Sequence, residues 1–271
     1  VFPGSPAAVA GVKAGDRIVA VGGVPVSRRG PLRSVEAILG KAGTPVVLRV
    51  RTGSAAPRTV RITRGDVTVP MIESRMVTAP GGLKVGLIVL GRFESGAGDE
   101  VGDAARRLIA DGARALVLDL RGDPGGLLDE AVAVAGVFLP KGDVVVSTRG
   151  RASPERVFKA DGDPIPADIP VAVLVDGLSA SASEIVAGAL KDQGRAVVVG
   201  TPTFGKSKVQ TTQGTGDGGA VRVTIADYLT PKGTDIGRGG VIPQVRATDS
   251  ADTEADEALD AAVAALQAKA G

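Results

Sequence analysis

Two short segments carry the residue types with which this chain can do chemistry. Residues 179–183 read Ser-Ala-Ser-Ala-Ser and follow an apolar run, and residues 200–207 read Gly-Thr-Pro-Thr-Phe-Gly-Lys-Ser. A serine at a sharp strand-to-helix turn can be an exposed nucleophile, and the first backbone N–H groups of that helix can stabilise a developing oxyanion. The two segments therefore indicate acyl-transfer chemistry, provided that a base is available.

The residue types that the chain lacks restrict the choice of base. The sequence contains no histidine and no cysteine, which excludes a Ser-His-Asp triad, a thiolate nucleophile, disulfides and zinc sites built on these ligands. A lysine can activate a serine only when its amine is neutral, which burial favours because it lowers the lysine pKa. Lys206 follows Phe204 and Gly205 shortly after an apolar strand, so we predict that its amine is buried and able to accept a proton.

Both segments also match patterns with other meanings. Residues 200–207 fit G-x-x-x-x-G-K-[ST], the pattern of a phosphate-binding loop, and they follow a strand-like run. A working phosphate loop leads directly into a helix, whereas the composition of residues 207–216 predicts a strand and a turn. The serine run alone is typical of a helix N-cap with small residues for close packing, and Lys206 alone is typical of a surface lysine.

Composition narrows the remaining function classes. The chain has 271 residues, 44% hydrophobic and 2% aromatic, so Val, Leu, Ile and Ala must build its core. The formal net charge is +2 and the charges are dispersed, unlike the clustered basic face and aromatic platforms of nucleic-acid binders. No run reaches the length of a membrane span and no signal peptide is visible. The chain begins in mid-element at Val1, so we expect a missing upstream portion.

Hydrophobic periodicity predicts an α/β protein with a separate N-terminal module. The predicted segments are a small β-rich module, a linker, an α/β core and a closing amphipathic helix, at residues 1–66, 67–82, 83–248 and 249–271. In the module, Ser34 is the predicted N-cap of a helix. In the core, the apolar runs at 115–120 and 171–175 are typical of strands buried in a parallel sheet, and residues 179–190 predict a helix.

With several further motifs, these segments make the chain resemble the carboxyl-terminal processing proteases, PDZ-containing Ser-Lys endopeptidases of bacterial envelopes and chloroplast lumens. The resemblance covers nearly all of the chain and rests on an ordered set of motifs. These are GSPA, AGDRI, LDLR, PGGLLDEA, FLPKG, SASASEI, TFGK, VQ, YLTP and GVIP, at residues 4–7, 14–18, 118–121, 124–131, 138–142, 179–185, 203–206, 209–210, 228–231 and 240–243.

The resemblance implies a role for each candidate site residue. Ser181 is the nucleophile, Lys206 is the general base, and Gln210 helps to orient this pair. The backbone N–H groups of Gly126 and Ala182 form the oxyanion hole. The implied fold is α/β: a protease core of β-sheet with flanking helices, of the β-β-α architecture of ClpP and crotonase, plus a small, N-terminally incomplete, β-rich PDZ domain. Neither a cofactor nor a metal is implied.

The implied function is that of a serine endopeptidase that cleaves unfolded or C-terminal regions of proteins through an acyl-enzyme. The PDZ domain captures the C-terminal tail of a substrate as an added strand. Ile18, Val21, Val35 and Leu39 are candidates to line that groove, although a core role is commoner for such residues. The implied location is outside the cytoplasm, in the periplasm or cell envelope. The resemblance also allows an adaptor, an oligomer and membrane attachment through the upstream portion, but no nucleic acid.

The chain departs from the family pattern at several places. The first PDZ strands and the carboxylate-binding loop are expected before Val1. Leu178 follows Gly177 where glycine usually precedes the serine run, Asp123 ends a pair that is commonly Asn-Asn, and Gln244 stands where Asp often follows proline. Because the catalytic residue types are intact, we expect an active enzyme. The alternatives are a nucleotide-binding protein that uses residues 200–207 and a non-catalytic PDZ interaction module.

Overall fold

The structure is a computed structural model that describes the chain except for residues 3, 68–69, 151–153, 217–218, 250–252, 254 and 271. The chain forms two compact units, Val1–Pro70 and Met71–Gly271. In the part of the chain that is described, no helix has both the length and the apolar character needed to cross a bilayer.

The N-terminal unit is an antiparallel sheet with short helices. Its elements are α1 (Pro6–Val9), β1 (Asp16–Val21), β2 (Val24–Pro25), α2 (Val26–Arg29), α3 (Pro31–Ile38), β3 (Pro45–Thr52) and β4 (Arg58–Thr63). The sheet has the order β2-β1-β3-β4. Alternate residues of β3 are buried, namely Val46, Leu48 and Val50. This alternation is what a sheet with one face on a core requires.

Glycine and proline set the local geometry of this unit. Gly22 and Gly23 form the tight β1–β2 turn with φ values of 56° and 80°, which a type I′ hairpin needs at both central positions. Helix α3 begins at Pro31, because proline at the first helical position has a suitable φ and no N–H to leave unpaired. The Ser34 hydroxyl instead donates to the carbonyl oxygen of Gly30 at 2.7 Å. The prediction of Ser34 as N-cap was therefore wrong.

The C-terminal unit alternates strands and helices. Its elements are β5 (Ile72–Thr78), β6 (Lys84–Leu90), α4 (Ala97–Ala110), β7 (Ala115–Asp119), α5 (Leu128–Gly136), β8 (Val144–Arg149), β9 (Arg156–Lys159), β10 (Val171–Val175), α6 (Ala182–Asp192), β11 (Ala196–Gly200), β12 (Lys208–Gly214), β13 (Ala220–Leu229), β14 (Val245–Arg246) and α7 (Glu257–Ala270).

A six-stranded sheet in the order β14-β11-β10-β7-β6-β5 forms the centre of this unit. Neighbouring strands from β14 to β6 pair in parallel, and β5 pairs antiparallel to β6. Every residue of β7, β10 and β11 is buried, which confirms the prediction of buried parallel strands. Successive residues point to opposite faces, so one face packs on α4, α5 and α6 while the other packs on α7. The mixed α/β class is thus confirmed.

A second, antiparallel sheet has the order β12-β13-β8-β9, and its strand β12 contains the candidate residue Gln210. Several strands were not predicted from the sequence, β5 and β9 among them. Residues 67–82 were predicted to be a linker but contain β5, and no strand was predicted where β9 lies. Both strands are at the edge of a sheet and have mostly exposed or half-buried residues, so the apolar periodicity that reveals a strand is weak in both.

Arg121, just after β7, ties the central sheet to the start of α7. Its guanidinium group forms ion pairs with Asp119 at 2.6 Å, Asp256 at 2.8 Å and Asp249 at 2.9 Å. The hydrogen bond from Arg121 is the largest influence on Asp256 and lowers the pKa of that carboxyl. This cluster fixes the loop after β7, which leads into the candidate site.

Candidate active site

A sharp turn takes the chain from the end of β10 into α6, and the side chain of Asp176 shapes it. Its Oδ1 accepts hydrogen bonds from the N–H groups of Leu178 and Ser179, at 2.9 and 3.0 Å. The same oxygen accepts a bond of 3.0 Å from the N–H of Gly122, in the loop after β7. Since β7 and β10 are parallel neighbours, the two loops lie side by side at the carboxyl edge of the sheet, where α/β proteins place their sites.

Only one of the three serines in this turn is free of a structural bond to a neighbouring loop. Ser179 is buried and its hydroxyl donates to the carbonyl oxygen of Leu120 at 2.8 Å. Ser183 is buried and its hydroxyl donates to the carbonyl oxygen of Asp123 at 3.0 Å. Ser181 is partly exposed, immediately before the first residue of α6. Burial and bonding therefore favour Ser181 as the nucleophile.

The backbone of Ser181 is strained. Its φ is 57° and its ψ is −108°, and among the described residues it alone has a positive φ without being glycine. Such conformations cost about 1–3 kcal/mol and cluster at functional sites. A turn of this kind exposes a side chain above the sheet at the start of a helix, as a nucleophile requires.

Glu184 is a fully buried carboxylate that binds both segments of the candidate site. Its Oε2 accepts hydrogen bonds from the N–H groups of Ser181 and Lys206, both at 2.8 Å. Its Oε1 accepts from the Thr203 hydroxyl at 2.5 Å and from the Gly205 N–H at 2.7 Å. These four donors satisfy both oxygens, which makes the burial tolerable. Glu184 therefore holds the main chain of the serine turn against that of the lysine segment.

Glu184 had no role in the sequence-based predictions. Its position three residues after Ser181 matches the capping-box spacing S-x-x-E, and that spacing is the signal by which it could have been found. The bonds to Thr203, Gly205 and Lys206 have no such signal, because they join residues far apart in the sequence.

The side chain of Lys206 is exposed, so the prediction of a buried amine was wrong. In the part of the chain that the structure describes, no hydrogen bond joins the Nζ of Lys206 to the Oγ of Ser181. The Lys206 N–H is fixed by Glu184, whereas the side chain is exposed to solvent. The structure thus brings the two segments together without joining their functional groups.

Two backbone N–H groups beside Ser181 are available to a ligand. Among the described residues, neither Gly126 nor Ala182 donates its N–H internally. The loop at Gly126 forms a parallel bridge with Phe93, in which the N–H of Phe93 donates to Gly125 and the N–H of Leu127 donates to Phe93. In such a bridge the Gly126 N–H points the other way. Ala182 is the first residue of α6, where the helix dipole favours negative charge.

Gly125 brings this loop into contact with the serine turn. A Cβ on Gly125 would lie 2.5 Å from the carbonyl oxygen of Ala180 and 2.8 Å from the N of Ala182. The φ of Gly125 is 92°, which residues with a Cβ rarely adopt. The two predicted oxyanion donors, on Gly126 and Ala182, are therefore held on adjoining segments by a contact that only glycine permits.

Asp123 lies beneath this contact and is fully buried. Burial raises the pKa of Asp123 to about 7, although the hydrogen bond from the Gly125 N–H, the nearby Ser183 hydroxyl and the charge of Arg92 act to lower it. The sequence showed Asp123 only as a departure from the usual Asn. Its burial could not be predicted, because an Asp between glycine and proline is typical of an exposed turn.

The structure places Gln210 on β12, exposed and at a β-bulge between Val209 and Gln210. Its orienting role stays a prediction.

Three large apolar side chains on segments that border the site are exposed: Leu127 by 53%, Leu178 by 66% and Phe204 by 65%. They offer apolar area to a bound chain. Within the described residues, no group of three or more acidic, histidine or cysteine side chains is placed to hold a metal ion.

The segment that matches the phosphate-loop pattern has the wrong surroundings for a nucleotide. The motif follows β11 but leads through an extended stretch into β12, not into a helix. This confirms the predicted strand, and it removes the helix N-terminus on which such a loop depends. The lysine of the motif is instead held at its N–H by Glu184.

Comparisons with known proteins show which families the chain resembles. Residues 84–247 match the model of peptidase family S41, and residues 1–52 match a PDZ domain model. The carboxy-terminal-processing protease of Bartonella bacilliformis is 40% identical over 243 residues, which are 89% of this chain and 56% of that protein. The carboxyl-terminal-processing protease of Picosynechococcus is 38% identical over 243 residues, 89% of this chain and 58% of that protein. The chain thus spans just over half the length of these relatives.

A solved structure shares the architecture. The photosystem II D1 C-terminal processing protease is 37% identical, with a TM-score of 0.64, and the match covers 90% of this chain and 66% of that one.

Proposed function

The chain belongs to peptidase family S41, and from this premise we propose that it is a serine endopeptidase that cleaves unfolded or C-terminal regions of proteins. One observation carries the proposal. Ser181 has a strained backbone at a strand-to-helix turn, and Glu184 binds that turn to the Lys206 segment, in a chain without histidine or cysteine. The names of the relatives, carboxy-terminal-processing protease among them, support the same activity.

In the proposed reaction, the Oγ of Ser181 attacks the carbonyl carbon of the scissile peptide bond while the Nζ of Lys206 accepts the hydroxyl proton. The N–H groups of Gly126 and Ala182 donate to the tetrahedral oxyanion. The C–N bond then breaks, Lys206 returns the proton to the leaving amine, and an ester on Ser181 remains. A water molecule, deprotonated by Lys206, attacks this ester, the bond between the acyl carbon and Ser181 Oγ breaks, and Lys206 returns the proton to Oγ as the new C-terminus leaves.

The exposure of Lys206 requires a further step in this account. An amine in water is largely protonated at neutral pH and is a poor base. We infer that a bound peptide covers the Lys206 side chain and displaces water from it, so that desolvation favours the neutral amine. The exposed side chains of Leu178 and Phe204 support this role for the substrate, because a chain that packs against them also packs over the segments beside Lys206.

The N-terminal unit is the proposed site of tail capture. It contains an apolar cavity of about 450 Å³, lined in part by Phe2, Ile18, Leu39, Leu48 and Ile62. Of the predicted groove residues, Ile18 and Leu39 line this cavity, Val21 is in the core and Val35 is exposed. An apolar cavity in a PDZ-like unit suits the apolar side chains of an unfolded C-terminal tail.

Location and further partners rest on the resemblance alone. We propose a location outside the cytoplasm, where a protease of this kind meets unfolded envelope proteins. An adaptor, an oligomer and attachment to a membrane belong to the same proposal, and fractionation of cells with co-purification of bound proteins tests all three.

Cleavage of a disordered protein with an apolar C-terminal tail tests the proposed activity. Ser181→Ala and Lys206→Ala should each lower kcat/KM by about 10⁴-fold or more, because removal of a nucleophile or its base leaves only residual catalysis. The matched control is Lys208→Ala, which removes an exposed lysine two positions away that pairs with Asp227 and should leave cleavage unchanged. Full activity of either site variant contradicts the dyad.

Two binding measurements distinguish the proposed protease from the alternatives. Binding of tail peptides without cleavage by the unaltered chain would favour a non-catalytic interaction module. Magnesium-dependent binding of ATP or GTP, lost in Lys206→Ala, would favour a nucleotide site.

A further inference from the structure

Asp123 links the oxyanion loop to the serine turn at several points. Its carbonyl oxygen accepts hydrogen bonds from the Ala180 N–H and the Ser183 hydroxyl, both at 3.0 Å, so it binds the residues on both sides of Ser181. Its Oδ1 accepts a bond of 2.8 Å from the N–H of Gly125, next to the proposed donor Gly126. A single residue therefore fixes both halves of the proposed oxyanion hole.

The second carboxyl oxygen of Asp123 is buried without a partner. In the described structure, Oδ2 has essentially no contact with solvent and accepts no hydrogen bond. An ionised carboxylate with an unpaired buried oxygen pays a large desolvation cost, whereas a neutral carboxyl group pays much less. The site therefore suits a protonated Asp123, in contrast to Glu184, whose two oxygens are both satisfied.

The charged groups around Asp123 do little to offset that cost. Arg92, on the segment before Phe93, is the cation that acts on it, and it is the weakest of the named influences. On the β10–α6 side are two acidic residues, Asp176, whose Oδ1 binds the N–H of Gly122, and Glu184. On the β7 side, Arg121 is occupied by ion pairs with carboxylates. No neighbouring charge among these compensates an ionised Asp123.

We propose that Asp123 is a positioning residue whose carboxyl group is protonated in the active enzyme, and that its ionisation disables the adjoining oxyanion hole. The inference rests on the proposed function and adds a requirement to the same site. Protonated, Asp123 keeps the Gly125 N–H in place without adding charge. Ionised, it places a buried negative charge next to the loop where the tetrahedral oxyanion must form, and like charges in a poorly solvated site repel strongly.

Asparagine is the sharpest substitution for a test. Asp123→Asn keeps an oxygen for the Gly125 N–H and is neutral at every pH, whereas Asp123→Ala removes that acceptor as well. The quantity to measure is the ratio of kcat/KM of Asp123→Asn to that of the unaltered chain, from pH 5.5 to 9, with a disordered protein substrate. The ratio cancels any pH dependence that the two proteins share.

The ratio should be near one at pH 6 and should rise to about tenfold at pH 8, because a group with a pKa of about 7 is then about nine-tenths ionised. Asp123→Ala should be slower than Asp123→Asn at every pH, since the Gly125 contact is lost. A ratio that does not change with pH overturns the inference. A merely structural role would alter both kinetic constants by a factor independent of pH.

A readout without activity complements the kinetics. In ¹³C-carboxyl NMR of the Ser181→Ala chain, one Asp resonance should titrate far above the ordinary range and should vanish on adding Asp123→Asn. Titration of that resonance near pH 4 overturns the inference. Failure of this inference can be distinguished from failure of the proposed function. If cleavage depends on Ser181 but the kcat/KM ratio does not change with pH, only the role of Asp123 is contradicted. If no Ser181-dependent cleavage occurs at any pH, both the proposed function and this inference are contradicted.

Discussion

The candidate site has a nucleophile side, around Ser181, and a base side, around Lys206, and the structure fixes the first more completely than the second. Around Ser181, the strained backbone, the Gly125 contact and the free N–H groups of Gly126 and Ala182 are in place without a substrate. Around Lys206 only the main chain is fixed, and the side chain is exposed. In the proposed mechanism, the groups that would stabilise the oxyanion are therefore preorganised, whereas proton transfer to Lys206 would depend on the bound substrate chain.

Of the substitutions outside the Ser181–Lys206 pair, Glu184→Ala should have the largest effect, because the Glu184 carboxylate binds both sides of the site. Glu184→Ala leaves four donors without an acceptor, so kcat/KM should fall by about 10³-fold and the free energy of unfolding by about 3–5 kcal/mol. Cleavage assays and urea titrations measure the two effects.

A matched control for Glu184 is available in α5. Glu130 also uses its carboxylate to accept from two backbone N–H groups, those of Gly96 and Gly98. Glu130→Ala should lower stability while leaving kcat/KM of the folded enzyme within about threefold. If Glu130→Ala and Glu184→Ala reduce cleavage equally, the link between the two sides has no special role.

The contact at Gly125 tests the preorganised side by itself. Gly125→Ala should lower kcat by about 100-fold, the effect of losing an oxyanion donor, because its Cβ collides with the segment of Ala180 and Ala182. Gly122→Ala is the control, since Gly122 has a similarly positive φ of 71° but open space around its Cβ position. Similar kinetics in the two variants would mean that backbone strain, rather than closeness to the serine turn, explains the loss.

The pH dependence of the unfolding free energy tests the protonation of Asp123, which belongs to the nucleophile side. The raised pKa of Asp123 means that the folded chain binds more protons than the unfolded chain between about pH 4 and pH 7, so stability falls as the pH rises through that window. Asp123→Asn removes this loss. Its unfolding free energy relative to the unaltered chain should therefore increase by up to about 4 kcal/mol from pH 4 to pH 7.5, since the pKa is raised from 3.8 to about 7 and each pKa unit corresponds to about 1.4 kcal/mol. A pH-independent difference in urea titrations contradicts this.

The smallest effect concerns the exposed apolar side chains that we propose contact the substrate. Phe204→Asp should raise KM by about tenfold for a substrate with apolar residues around the cleavage point, because about 1.5 kcal/mol of apolar burial is lost. Val221→Asp, at an exposed valine on β13, is the control and should leave KM unchanged. Equal effects of the two substitutions would show that Phe204 does not contact the substrate.

Sequence patterns predicted the buried parts of this molecule better than the exposed parts. Strand β10 was predicted with its observed bounds, because a strand covered on both faces is a continuous apolar run. The start of α6 was predicted at Ser179 but lies at Ala182. The Ser179 hydroxyl bonds to Leu120 in the neighbouring loop, and a contact between residues so far apart in sequence leaves no local pattern.

The candidate site shows the same division. Residue types and a family resemblance were enough to select Ser181, Lys206 and the two backbone donors. The exposure of Lys206 and the burial of Glu184 and Asp123 were not predictable, since burial is decided by which loops meet in space. Of these residues, only Glu184 stands at a recognisable spacing.

The most direct test of the account is the distance between Ser181 Oγ and Lys206 Nζ in a crystal structure of the chain with a peptide aldehyde bound to Ser181 as a hemiacetal. We predict a distance of about 3 Å, a Lys206 side chain covered by the peptide, and the hemiacetal oxygen at the N–H groups of Gly126 and Ala182. An amine that stays in solvent, out of reach of Ser181 while the peptide is bound, would contradict the account.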